Sequence, residues 1–274
     1  MNSTEYRVRP PAVAGQFYPD DPAALDRMIS SYLSEAKVHA PPRAIIAPHA
    51  GYIYSGPVAA SAYASLAPLR GKIRRVVLLG PSHRVGFHGI AASSADVFRT
   101  PLGDIPVDAD AVATAVELLP DVGYLDEAHA QEHSLEVHLP FLQKELGEFS
   151  LLPFVVGQAE PEDVAALLDL YITDPETLIV VSSDLSHYHD YATAREIDSE
   201  TASRIDSMDY QNISSEQACG AFPLRGLLLA ARQHNLTPLE VDLRNSGDTS
   251  GDKARVVGYG SWLFYPSRSQ VAAR

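Results

Sequence analysis

"VVLLGPSH", residues 76–83, is an apolar run that stops at a Gly-Pro turn and carries a histidine at its tip. A half-exposed strand alternates apolar and polar residues. A run that is apolar at successive positions suits a strand buried on both faces, as in a parallel sheet covered by helices. The chain repeats the pattern twice. "IIAPHAG" (45–51) ends in Pro48, His49 and Gly51, and "LIVVSSDLSH" (178–187) ends in Asp184 and His187. Each run places a chemistry-bearing side chain just past its carboxyl end.

Helical patterns separate these runs. "GPVAASAYASLAPL" (56–69) is alanine-rich, with Ser55 as a candidate N-cap and Pro57 in the first turn. Helices are also predicted over 108–119, 132–146 (interrupted near Pro140), 161–172, 192–208 and 223–235. Further strands are predicted at 43–48, 74–80, 150–157, 177–184, 239–245 and 254–265. Residues 89–108, with the turn "TPLGD", read as an antiparallel excursion. The expected fold is α/β: a mixed, largely parallel central sheet flanked by helices. One domain over 1–274 is expected, with a loose tail from about 267.

Composition narrows the function classes. Hydrophobic residues are 46% and charged residues 20%, ordinary for a globular chain. A net charge of −14 repels phosphate backbones, so no nucleic-acid partner is expected. The densest basic stretch, "RGKIRR" (70–75), leads straight into a strand. The single cysteine, Cys219, excludes an intrachain disulfide and fits a reducing compartment. The first residues lack the apolar core of a signal peptide, and no run of about 18 apolar residues offers a membrane span. A cytoplasmic protein without a membrane partner is the expectation.

Ligands of open α/β sheets bind outside the carboxyl ends of the strands. Parallel strands would therefore bring His49, His83, Asp184 and His187 into one mouth. Convergent imidazoles and a carboxylate suit a divalent metal or acid–base catalysis. Asp184 alone also fits an N-cap for a following helical turn. His189 reads as solvent-facing, and His39, His88 and His234 as surface residues.

"EHSLEVH" (132–138) is a second constellation. On a helix, His133 and Glu136 share a face, while His138 points elsewhere. The spacing is not H-E-x-x-H. The pair could orient an imidazole, line the pocket, or be ordinary salt pairing. Cys219, in "ACGAFP", is a small buried hydrophobe or, near a helix N-terminus, a thiolate able to ligate metal. "NSGDTSGD" (245–252) reads as a hairpin connection that could carry Asp248 and Asp252 to the mouth. No G-x-S-x-G, P-loop or G-x-G-x-x-G occurs, which weakens hydrolase and nucleotide readings.

Taken together, "RPPAVAGQFYP", "APHAGYIYSG", "GPSH", "FRTPLGD", "EHSLEVHLPF", "SSDLSHY" and "CGAFP" resemble the Memo family, the Memo part of the AmmeMemoRadiSam proteins. The resemblance runs from about residue 8 to about 265. It implies a fold similar to class III extradiol dioxygenases, which are non-haem iron enzymes. It also implies metal-site residues at His49, His83 and Cys219. Asp184 and His187 are implied in the pocket, and His133 and His138 match further family histidines. Tyr54 and Glu136, inside these motifs, are counted with the pocket, as is Asp248.

A cysteine in place of the dioxygenases' carboxylate softens the donor set. Iron(II) or copper is the expected metal, and zinc is compatible. Eukaryotic members are linked to cell-motility signalling and to phosphorylated peptides, for which the residues here give no independent support. The leading expectation is a metal-dependent redox enzyme acting on a small molecule. Asp184 would then tune the metal, and His187 or His133 would move protons. The alternative is a non-catalytic protein capturing a peptide, metal or metabolite, with a radical SAM protein as partner. Zinc-assisted hydrolysis is a third reading.

Overall fold

The computed structural model describes residues 6–249 and 251–267. In chain order its elements are β1 (Val8–Arg9), α1 (Pro22–Glu35), β2 (Ala44–Ala47), α2 (Tyr52–Tyr63), β3 (Arg75–Pro81), β4 (Ile90–Ala92), β5 (Val97–Thr100) and β6 (Gly103–Pro106). Then come α3 (Ala109–Leu118), β7 (Val122–Tyr124), α4 (Asp126–Ala130), α5 (Leu139–Leu146), β8 (Ser150–Val156), α6 (Pro161–Asp169), β9 (Thr177–Ser182) and β10 (His187–His189). The chain finishes with α7 (Tyr191–Asp206), α8 (Ala221–Gln233), β11 (Leu236–Asn245), α9 (Ser246–Thr249) and β12 (Val256–Pro266).

The central strands run parallel in the order β2-β9-β3-β8. Antiparallel strands extend the sheet on both sides: β12 joins β2, and β4 joins β8. The full order is β10-β12-β2-β9-β3-β8-β4-β7, with β11 paired to β12. A small separate sheet orders β1-β5-β6. The mixed, largely parallel α/β fold is thus the one the apolar runs predict. Among the described residues, no helix is long and apolar enough to cross a membrane.

Continuous apolarity has a direct structural reading here. Side chains alternate between the two faces of a strand. Val77, Leu79, Leu152, Phe154, Ile179 and Val181 enter one core, against α6 and α8. Their neighbours Val76, Leu78, Leu151, Val155, Leu178 and Val180 enter the other, against α1, α2 and α5. Gly226 lets α6 and α8 approach closely, because a Cβ there would lie 2.2 Å from Val164.

Three predicted elements are corrected. The helix predicted from 56 starts at Tyr52, with Gly51 rather than Ser55 at the N-cap and Pro57 inside it. Tertiary packing decides this: Tyr52 is buried, and its hydroxyl donates to the Val137 carbonyl at 2.6 Å. The third strand of the motif, predicted to 184, ends at Ser182. The helix predicted from 132 begins only at Leu139, after a short 3-10 turn over Glu136–His138, with Pro140 in its first turn. The loose tail expected from about 267 falls, beyond that residue, outside the described residues.

Candidate metal centre

His49, His83 and Asp184 each stand two residues beyond the last residue of a parallel strand, β2, β3 and β9 respectively. The sheet aligns these ends, so the side chains converge. His49 is buried and His83 partly exposed, and His133 joins them from the segment before the 3-10 turn. Ligand atoms of these three histidines lie within 4.8 Å of one another. Ring centroids are 5.1 Å apart for His49–His83, 5.4 Å for His49–His133 and 4.7 Å for His83–His133. Such a cluster could hold a metal ion.

Each histidine is oriented from behind. His83 Nδ1 lies 2.8 Å from Glu132 Oε1, and the His83 backbone N–H donates to Oε2 at 2.6 Å. Backbone N–H groups of His133 and Ser134 also donate to Glu132 Oε1, each at 2.9 Å. Burial alone would raise the Glu132 carboxyl, but His83 and these N–H groups outweigh it and hold it at about 2. With Nδ1 facing a carboxylate, His83 has Nε2 free. His49 Nδ1 lies 2.6 Å from Ser182 Oγ. His133 packs on Phe17, 4.8 Å between centroids, and its Nδ1 lies 3.4 Å from Glu132 Oε1 without forming a hydrogen bond. Burial lowers the His133 pKa to about 4 and holds His49 well below its ordinary value. Neutral imidazoles with a bare nitrogen are the form that ligates metal.

Cys219 reaches the cluster through His49, with Sγ 3.3 Å from His49 Nε2. The adjoining Gly220 explains the placement. A Cβ on Gly220 would lie 2.5 Å from the Ser182 carbonyl, so only glycine lets α8 start against the tip of β9. Its N–H donates to Ser183 Oγ at 3.0 Å, and the Cys219 N–H donates to the Asp184 carbonyl at 3.3 Å. Burial and the nearby Asp184 raise the thiol pKa in the absence of a cation. The donors available are imidazole nitrogen and sulfur, which fit iron, copper or zinc.

A cavity of about 380 Å³ opens onto the histidines, walled by Phe17, Gly51, Arg84, Asp184, His187 and Tyr188 among others. Asp184 caps no helix. Its Oδ1 accepts the His49 N–H at 2.8 Å, and burial raises its pKa to about 7. His187 lines the cavity and is kept neutral by burial. Tyr188, at the mouth, has a φ of 63°, a left-handed conformation that bulky residues rarely take.

Other expected pocket residues lie elsewhere. Glu136 is fully buried, but it pairs with Arg9 and accepts from Ala12 N, Val13 N and the Tyr18 hydroxyl. The helical spacing that put it beside His133 fails because the backbone there is satisfied by side chains. Glu132 takes the N–H groups, while Arg9 donates to the carbonyls of His129 and Glu132. Asp248 is exposed and accepts from the Tyr191 hydroxyl at 2.7 Å, and Asp252 caps the Ala254 N–H instead of reaching the mouth. Tyr54 stands partly exposed outside the cavity lining. His138 is buried behind the site, between Tyr63 and Ser182. Glu132 and Ser182 escaped the sequence reading, although both stand in motifs it singled out.

The buried histidines give a pH prediction. Burial holds His129 at about 4 and His138 at about 3, against 6.5 in an unfolded chain. Between those values the unfolded chain binds protons that the folded chain refuses, so stability falls as pH drops below 6.5. The His129 contribution is about 3 kcal/mol at most. Asp184 and Asp198, raised by burial to about 7 and about 6, act in the opposite sense. His49, His133 and His187 are also lowered, so the imidazoles outnumber the carboxyls. The melting temperature of the metal-free protein is expected to fall by several degrees from pH 7 to pH 5. A flat profile in differential scanning calorimetry would contradict the buried, neutral histidines.

The sequence has relatives along most of its length. The profile of the family described as "Memo-like protein" matches residues 9–263. A MEMO1 family protein of Sulfolobus acidocaldarius is 35% identical, covering 94% of this chain and 99% of the relative. MEMO1 family proteins of Aquifex aeolicus and Metallosphaera sedula are 36% and 37% identical, over 94% and 92% of this chain. An uncharacterized protein of Escherichia coli K12 shares the fold, with a TM-score of 0.52 at 13% identity, covering 80% of this chain and 98% of that one.

Proposed function

Because this chain belongs to the Memo-like protein family, we propose that it binds one transition-metal ion at the tips of its parallel strands and acts there on a small molecule. The observation that supports this most is the convergence of His49, His83 and His133, whose ligand atoms lie within 4.8 Å of one another, with Cys219 Sγ beside His49 Nε2. His49 and His83 would hold the ion, with Cys219 and His133 as the remaining donors. Iron(II) or copper bound there would supply redox chemistry, and zinc would supply Lewis acidity alone.

The chain's own residues have separable tasks. Glu132 fixes the His83 ring, and Asp184 pins the backbone of His49. Phe17 and Tyr188 line the cavity. His187, neutral and on the wall, is placed to accept a proton from a bound substrate, and Asp184, near 7, to exchange one. A reading as a non-catalytic capture protein draws support from the exposed Ile53, Tyr54 and Tyr188, which offer a peptide or a radical SAM protein an apolar contact.

The test is metal content after anaerobic purification without chelator, followed by oxygen consumption with the loaded protein. About one iron or copper ion per chain, with substrate-dependent oxygen uptake, supports the enzyme. Metal without turnover favours capture, and no uptake on titration overturns the metal reading. On the same preparations, Cys219→Ser is expected to shift preference away from copper and zinc toward iron by about tenfold, read by competition titration. Unchanged selectivity would show that Cys219 only packs.

A further inference from the structure

Ser182, His138 and Tyr63 have no part in the reading above, yet they form a closed hydrogen-bond chain behind His49. All three side chains are fully buried. Ser182 Oγ has three neighbours: His49 Nδ1 at 2.6 Å, His138 Nε2 at 2.7 Å and the Ser134 carbonyl at 2.7 Å. The far nitrogen of His138, Nδ1, lies 2.8 Å from the Tyr63 hydroxyl.

A serine hydroxyl carries a single proton. If it were given to either imidazole, two oxygens, Ser182 Oγ and the Ser134 carbonyl, would face each other at 2.7 Å with no proton between them. The hydroxyl therefore donates to that carbonyl. Its oxygen is left as acceptor only, so both imidazole nitrogens facing it must be N–H donors. His138 is then protonated on Nε2 and bare on Nδ1, which is what the Tyr63 hydroxyl requires as donor. Each group in the chain is satisfied by this arrangement and by no other assignment of neutral imidazoles.

We propose that Ser182, backed by His138 and Tyr63, is a positioning residue that locks His49 in the tautomer protonated on Nδ1, so that Nε2 is the atom presented to the cavity. The proposal rests on the reading of His49 as a metal donor. It gives His49 the polarity that Glu132 gives His83: Nδ1–H held from behind, Nε2 free. A hydroxyl does for one ligand what a carboxylate does for the other, and no charge is buried behind His49.

The test separates this proposal from the metal reading, because its main readout is taken without metal. Long-range ¹H–¹⁵N correlation spectra of the metal-free protein are expected to show His49 protonated on Nδ1 and His138 on Nε2. His49 protonated on Nε2 would overturn the proposal outright. Ser182→Ala is expected to leave His49 as a tautomer mixture and to weaken Zn(II) binding, with zinc as the probe, by about tenfold. Ser182→Thr, which keeps the hydroxyl, is expected to restore both. Unchanged tautomers and zinc affinity in Ser182→Ala would also refute the lock. Should the serine variants fail to fold, Tyr63→Phe removes only the donor to His138 Nδ1 and is expected to leave both imidazoles in their tautomers, because Ser182 still accepts from them; a His138 that shifts to Nδ1–H there would show that Ser182 is not the lock. Correct tautomers without zinc uptake would sink the metal reading and leave the positioning role standing.

Discussion

Replacing His49 by alanine is expected to cut metal uptake to less than about a tenth of an ion per chain while the protein still folds, since losing a ligand costs more than the hundredfold attached to its supporting groups. His49 meets both sides of the site: Nε2 faces Cys219, and Nδ1 faces Ser182. The fold survives because the rest of that network closes without it. Ser182 still donates to the Ser134 carbonyl and still accepts from His138. The lost hydrogen bond is worth about 1 kcal/mol, a fall of about 3 °C in melting temperature for a chain of this size. Elemental analysis and circular dichroism on the same sample decide it. A folded variant that keeps its metal would remove His49 from the site. His83→Ala is expected to behave alike, with Glu132 still held by backbone N–H groups and 3.4 Å from His133 Nδ1.

Glu136→Ala is expected to be far more damaging to stability, by about 3–5 kcal/mol, because it strands Arg9 as an unpaired buried charge. Arg9 is 6% exposed and Glu136 0%. Two backbone N–H groups and the Tyr18 hydroxyl lose their acceptor as well. The melting temperature should drop by about 10 °C. Metal affinity should fall too, although Glu136 lines no part of the cavity. Arg9 holds the carbonyls of His129 and Glu132, and the irregular segment that follows it carries Phe17 onto His133. Glu136→Gln, which keeps an acceptor but loses the charge, should fall between. A shift under about 2 °C for the alanine variant would show the ion pair to be dispensable.

The contrast between His49 and Glu136 marks how far the sequence could be read. His49, His83 and Asp184 were legible because strand ends are set by local apolar runs, and a parallel sheet aligns them without further information. The "EHSLEVH" segment was not. Its helical spacing was genuine, but Arg9, more than a hundred residues earlier, takes its carbonyls and makes an irregular backbone affordable in the core. The same tertiary effect started α2 early, through the buried Tyr52. Ser182 stood in a quoted motif, yet a buried serine shows its role only when its three neighbours are in place. Asp248 failed for a simpler reason: the β11–β12 hairpin holds it at the surface against Tyr191.

His49 and Cys219 touch although 170 positions separate them in the chain. That distance sets an order of events during synthesis. The wall bearing His49 and His83 belongs to the first third of the chain, and the sulfur arrives only with α8. A growing chain therefore carries the three histidines long before it carries the sulfur, and pairing of distant parallel strands is slow. The two apolar cores close without any donor residue of the site, so starving a cell of metal is expected to leave folded, empty protein rather than nascent chains unable to fold.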